Sequence, residues 1–406
     1  GDEASIGYTA YSLLNTLHDQ NGKFLPIAID QFGDFRPAGY HYLDIPFVAL
    51  LGLTEFAVRL PAALFGSLAV VAIYLLVFEL FENRKIAGLS SILLAVLPWD
   101  VNISRASSES VIATFFVILG VYFYLKFVKR KAFSSLYLGL SSVLFIVSFF
   151  FYHAHRFFVP ALFPFLFLIS FFAFRKKKKK IIGGIVLFGV VLLGLSFFVL
   201  FGQGTGRASE VSLLSIPGGT TNLKQAMDEE GTLNPLINRF YNNKLIYYGR
   251  FFVNFYSQHL SGDFLFVNNG NPIRYRIPFT GNLYFVMLPF LILGFAFLLS
   301  QGLKEKKYHY LLPIVWLLIA PVPAGLTWED LPNVIRASIL IPALLIVTAF
   351  GFYEAVSLFK NKKIKTLIIV VSGLLLAHNF LYFCHNYYWR SKIHEPWHRS
   401  GAEKEL

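Results

Sequence analysis

The feature that most constrains this chain is an alternation. Long apolar runs are separated by short polar loops, and positive charge falls in every second loop. Runs such as 181–201 and 364–384 cover a hydrocarbon core of about 30 Å at about 1.5 Å rise per helical residue. Composition agrees: 56% of the 406 residues are hydrophobic and only 15% are charged. A soluble domain carries about 25% charged residues. The expected fold class is an all-α polytopic membrane protein.

Ten spans are predicted, at 58–81, 85–99, 110–128, 134–152, 157–174, 181–201, 281–301, 308–325, 335–358 and 364–384. The second is short and is expected to extend into flanking polar residues. Clusters at Arg84-Lys85, Lys129-Arg130-Lys131, Arg175 to Lys180, Lys304 to Lys307 and Lys362 to Lys365 occupy alternate loops. Lysine and arginine are retained on the cytoplasmic side, so the other loops lie outside. Gly39–Leu53 is apolar but short, and contains Asp44 and Pro46. Counting it as a span breaks the alternation, so it is read as an outer interfacial helix. Ser5–Leu17 has similar spacing.

These readings divide the chain into an outer loop with an acidic pair and interfacial helices (1–57), a six-span block (58–201), a long outer loop (202–280), a four-span block (281–384) and an outer tail (385–406). The long loop exceeds a simple connector. Its start is rich in Gly and Ser and is expected to be mobile. Leu236–Leu260 is expected to form an amphipathic helix on the membrane surface. The chain opens at Gly1 in polar sequence without a signal peptide, and ends just after a span. It is read as a fragment lacking a first span.

The net charge of +13 sits between apolar runs, not on a soluble face, so no nucleic-acid partner is expected. One cysteine, Cys384, allows no internal disulfide and no cysteine-based zinc site.

Ionisable residues gather at the outer ends of the spans. Asp2 and Glu3 open the chain; Asp34 and Arg36 precede the interfacial helix; Arg59 starts the first span. Arg105 and Glu109 flank the next outer turn, and His153, His155 and Arg156 form another. Arg207, Arg239, Arg250, Arg274 and Arg276 lie in the long loop, and Arg336 opens the ninth span. Carboxylates and guanidinium groups in one outward cavity suit sugar transfer from a lipid-linked phosphate. Arginine binds phosphate bidentately, a carboxylate takes a proton from an acceptor hydroxyl, and the phosphate leaves if cations hold its charge.

Each piece also has a plainer reading. Asp2 and Glu3 are suited to capping a helix, Asp34 and Arg36 to a surface ion pair, and Arg59, Arg105 and Arg336 to snorkelling. His153-Ala154-His155 shows no third metal ligand. Gly202 to Gly206 lacks the lysine and hydroxyl of a phosphate loop. The lysine run 175–180 is an orientation signal. His378, inside the last span, is read as a polar contact facing the bundle.

The order of these features resembles the C-type (GT-C) glycosyltransferases, which include the family 39 protein O-mannosyltransferases and the aminoarabinose transferases of lipid A. The residues that carry the resemblance are Gly1-Asp2-Glu3-Ala4, Phe35 to Tyr42, Val58 to Pro61, Pro98-Trp99 through Ser104-Arg105 and Glu109, and Asp330 to Arg336 with Pro342. Ala38 stands where a second proline is common, and Glu109 where many members have aspartate. The resemblance implies a GT-C-like bundle of about ten spans, eleven with a missing first span. It implies a polyprenyl- or dolichyl-phosphate sugar donor, a protein, lipid or glycan acceptor, and inverting transfer at the outer face of the cell membrane.

On that resemblance Asp2 takes the base or acceptor-polarising role, Glu3 positions the acceptor, and Arg36 meets the lipid phosphate. The candidate catalytic set is Asp2, Glu3 and Glu109. The donor-phosphate set is Arg36, Arg59, Arg105 and Arg336. Candidate substrate contacts are Asp34, Tyr40, Tyr152, His155 and Arg156. No metal ligand is assigned; a divalent metal stays open as a cofactor. A transporter, with charge near the midplane, and a non-catalytic scaffold are the alternatives.

Overall fold

The computed structural model describes residues 2–31, 33–129, 134–173, 185–186, 189–190, 193–194, 211–230 and 235–390. Helix α1 (Asp2–Thr16) leads into a hairpin of β1 (Ala28–Gln31) and β2 (Asp34–Pro37), then α2 (Gly39–Leu51). The strands pair antiparallel, with Ile29 opposite Arg36. This hairpin is a small addition to an otherwise helical fold among the described residues. Four-residue strands are too short to show alternation, and the sign left in sequence is Gly33, whose φ is 86°.

Helices α3 (Glu55–Phe81), α4 (Arg84–Ala95), α5 (Pro98–Ser104), α6 (Glu109–Lys129), α7 (Ser134–Phe149) and α8 (His153–Ala173) follow. The starts of α3 and α4 are set by side-chain caps. Thr54 accepts from the Ala57 amide, and Asn83 from those of Lys85 and Ile86. Pro98, in the first turn of α5, follows a bend of 56° from α4, so the short second span is not one straight helix. Among the described residues seven helices are long and apolar enough to cross a membrane, or eight with this bent pair. The expected span at 134–152 is the shorter helix α7. The span at 181–201 lies mostly outside the described residues, as do the lysine run 175–180, Gly202 to Gly206, Arg207 and the tail from 391.

The ninth span starts late. Helix Leu340–Leu358 begins beyond Arg336, which sits in the turns before it. Helix Leu288–Lys304 crosses it at Gly294 and Gly351, where any Cβ would strike the facing backbone. The last helix, Lys362–His385, is almost wholly exposed within this chain, and His378 is exposed with it. That corrects the bundle-facing reading: mid-span position says nothing of which face a residue occupies. The expected helix over 236–260 is two pieces, Pro235–Tyr241 and Lys244–Gln258, the second capped by Asn243. Tyr248 and Phe255 pack with Leu213, while Leu245 and Val253 stay exposed.

The bundle has two unlike ends. At one, Lys129 bonds Glu82, and Phe81 meets Tyr310 edge-on. At the other lie Asp2, Arg36, Arg59 and Glu109. The hairpin is fastened to that second end at Gly39, whose amide donates to the Phe150 carbonyl at 2.9 Å. A Cβ on Gly39 would collide with that carbonyl. Gly39→Val is therefore expected to lower stability by about 1–3 kcal/mol through overpacking. Thermal unfolding in detergent measures this, and an unchanged midpoint contradicts it.

Candidate functional site

The site is built from four chain segments separated in sequence. Helix α1 supplies Asp2 and Glu3, β2 supplies Asp34 and Arg36, and the tops of α3 and α6 supply Arg59 and Glu109. Arg36 is the hub. Its Nε donates to Asp34 Oδ2 at 2.9 Å, its Nη2 to Asp2 Oδ2 at 3.3 Å, and its Nη1 lies 3.8 Å from Glu109 Oε1. Arg274 reaches the same Asp2 oxygen at 3.4 Å.

A second knot lies beside it. Arg59 Nε contacts both Glu3 oxygens, at 3.0 and 2.9 Å, and Arg59 Nη1 reaches Glu55 at 3.1 Å. The Ser107 amide donates to Glu3 Oε1 at 3.3 Å, which ties the turn between α5 and α6 to α1. The acidic pair is thus engaged with distant arginines, not only with its own helix start.

Electrostatics follow from this packing. Burial pushes the Asp2 carboxyl up, but Arg36 and Arg274 outweigh it and hold the group below the usual carboxylate range. Burial works against the charge of Arg36, yet Glu109, Asp2 and Asp34 raise its pKa further above the ordinary value. In α2, burial pushes Asp44 up to about 7 and holds His41 down at about 3, so neither carries full charge beside the site at neutral pH.

Other predicted residues sit nearby in different roles. The Arg105 guanidinium bonds Asn102 and lies 5.1 Å from the centre of the Tyr387 ring. Asn102 in turn donates to the Tyr275 carbonyl, which holds the 273–276 turn, and so Arg274, over α5. Tyr40 is buried and donates to the Val58 carbonyl at 2.7 Å. His155 is buried against Thr114, with Tyr152 beside its ring. Arg156 is buried and bonds the Phe149 carbonyl and His153. Tyr40, His155 and Arg156 are therefore buried and engaged with the protein itself. Arg336 sits apart, bonded to Thr327 and Glu329 in another loop.

The two histidines of His153-Ala154-His155 have different partners, Phe35 with Arg156 and Thr114. Among the described residues no three His, Cys, Asp or Glu side chains gather as a metal set. Arg274 is grouped with the outer ionisable residues in the sequence reading but has no role assigned to it there. Its signal is weak, one arginine among five in the long loop, and only the fold sets it against Asp2.

Residues 36–199, less than half the chain, match the family model described as dolichyl-phosphate-mannose-protein mannosyltransferase. No curated protein matches the sequence. Two solved structures from Archaeoglobus fulgidus match most of the chain. The oligosaccharyltransferase AglB in complex with an inhibitory peptide and a dolichol-phosphate has 13% identity and a TM-score of 0.58, covering 94% of this chain and 51% of that one. An oligosaccharyltransferase tethered to an acceptor peptide has 13% identity and a TM-score of 0.55, covering 94% and 50%. ArnT from Cupriavidus metallidurans, at 12% identity, 86% and 55% coverage and a TM-score of 0.48, is too distant to add to this. The chain spans about half the length of these structures. At such identity the likeness establishes the fold. With the family match it bears out the GT-C resemblance read from the sequence.

If Glu3 and Arg59 hold α1 on α3, a double-mutant cycle with Glu3→Gln and Arg59→Gln will show coupling of about 0.5–1 kcal/mol, the scale of a part-exposed pair. Additive losses contradict the pairing.

Proposed function

We propose that this chain carries the donor site of a membrane glycosyltransferase that moves a sugar from a polyprenyl- or dolichyl-phosphate to an acceptor hydroxyl on the non-cytoplasmic side. The observation that carries this reading is Arg36 and Arg274 meeting on one oxygen of Asp2, at 3.3 and 3.4 Å. A lipid phosphate needs such a guanidinium pair, and an acceptor hydroxyl needs such a carboxylate. The family match at 36–199 and the shared fold support it.

The lysine end is assigned to the cytoplasm by the retention of positive charge. The Asp2 end then faces outward, where a lipid headgroup reaches it. In the resting arrangement both arginines lower the basicity of Asp2. A donor phosphate that takes them over leaves Asp2 free to accept the hydroxyl proton. The acceptor oxygen bonds the sugar C1 as the C1–O bond to phosphate breaks. The lipid phosphate departs with the electron pair, its charge held by Arg36 and Arg274. One displacement inverts the anomeric centre. Glu3 orders the acceptor side through Arg59 and Ser107, and Glu109 keeps Arg36 in place.

Transport without bond cleavage is the competing reading. In liposomes, the full-length protein is expected to release free polyprenyl phosphate, and Asp2→Asn to abolish release while leaving insertion and folding intact. Normal turnover of D2N removes Asp2 from the base role. Arg36→Ala is expected to raise donor KM more than Arg36→Lys, because lysine keeps the charge but loses the fork. Equal effects contradict bidentate phosphate binding.

The pH profile gives a separate check. Arg274 lowers the Asp2 pKa, so Arg274→Gln raises it. The acid limb of kcat/KM, which reports the free enzyme, should move to higher pH. An unmoved limb shows that Asp2 does not set it.

A further inference from the structure

Arg36 stands between two fastenings that both lead to the turn joining α7 and α8. On its C-terminal side Gly39 donates to the Phe150 carbonyl at 2.9 Å. On its N-terminal side the Phe35 carbonyl meets His153 Nε2 at 3.1 Å. The second fastening is itself directed. Arg156 Nη1 lies 2.8 Å from His153 Nδ1, and Arg156 Nε donates to the Phe149 carbonyl at 2.9 Å. A guanidinium only donates, so Nδ1 accepts and the imidazole carries its proton on Nε2, aimed at Phe35. Arg156 is buried and 20% of the Arg36 side chain is exposed, so a buried group orients one that solvent or a ligand can reach.

We propose that His153, oriented by Arg156, is a positioning residue for Arg36, and through it sets the affinity of the site for a lipid-linked phosphate. The inference rests on Arg36 meeting that phosphate. It reassigns the His153 to Arg156 segment from substrate contact or metal ligation to aiming a phosphate-binding arginine. A carbonyl held by one hydrogen bond fixes the direction of the next residue along the strand, and small misplacement of a binding group costs affinity steeply.

Two variants separate this from a structural role. His153→Asn keeps an acceptor for Arg156 and loses the reach to Phe35. His153→Gln keeps the acceptor and presents an N–H to Phe35. Undecaprenyl phosphate binding to the full-length protein in detergent is read by native mass spectrometry, and backbone amide exchange is read over residues 34–38. H153N is expected to weaken binding by about tenfold and to speed exchange in that segment, while H153Q does neither. In an Arg36→Ala background H153N should weaken binding no further, since its effect runs through Arg36. Unchanged exchange in H153N, loss in H153Q equal to that in H153N, or an undiminished effect in the R36A background each overturns the proposal. If R36A binds the lipid phosphate like the wild type, the phosphate reading of Arg36 fails. The amide exchange result then decides on its own whether His153 holds the strand.

Discussion

One guanidinium ties this architecture together. Arg36 joins a helix start, a strand and the top of a span through Asp2, Asp34 and Glu109. Side-chain exposure of 20% for Arg36 and 12% for both Asp34 and Glu109 keeps these pairs from being fully screened by water. Removing the cation would leave three acids at close quarters. Removing one acid would leave the cation with two. The arrangement is balanced for holding charge, and a phosphate exchanges naturally with a carboxylate partner.

The spans present only their ends to the site, and the hairpin and α2 are fastened on top by Gly39 and Tyr40. Asn102 and Trp99 fasten the late loops, through the Tyr275 and Val334 carbonyls, so residues from opposite ends of the chain share one surface. The bond from Asn102 holds the turn next to Arg274, which reaches Asp2.

Much of this was legible in the sequence. The alternation of apolar runs and lysine clusters gives the bundle and its two ends, because hydrophobicity and charge act over whole segments. The acids and arginines at the span ends were legible for the same reason. Asp2, Arg36 and Glu109 do converge, as do Glu3 and Arg59. What sequence concealed was pairing. Nothing local says that Arg274 turns to Asp2 while Arg336 turns to Glu329. Nothing local says that Tyr40 and His155 are buried, since burial depends on neighbours distant in the chain. The hairpin was hidden by its length, and the exposure of His378 by the lack of a facing signal in a uniformly apolar helix.

On the proposed mechanism, Arg36 and Arg274 exchange Asp2 for a lipid phosphate. A cryo-electron microscopy structure of the full-length protein with polyprenyl phosphate tests it most directly. Phosphate oxygens are expected within hydrogen-bond distance of both guanidinium groups, with Asp2 turned away from them toward an open acceptor space. A phosphate seated elsewhere, with the Asp2 contacts to Arg36 and Arg274 intact, would contradict it.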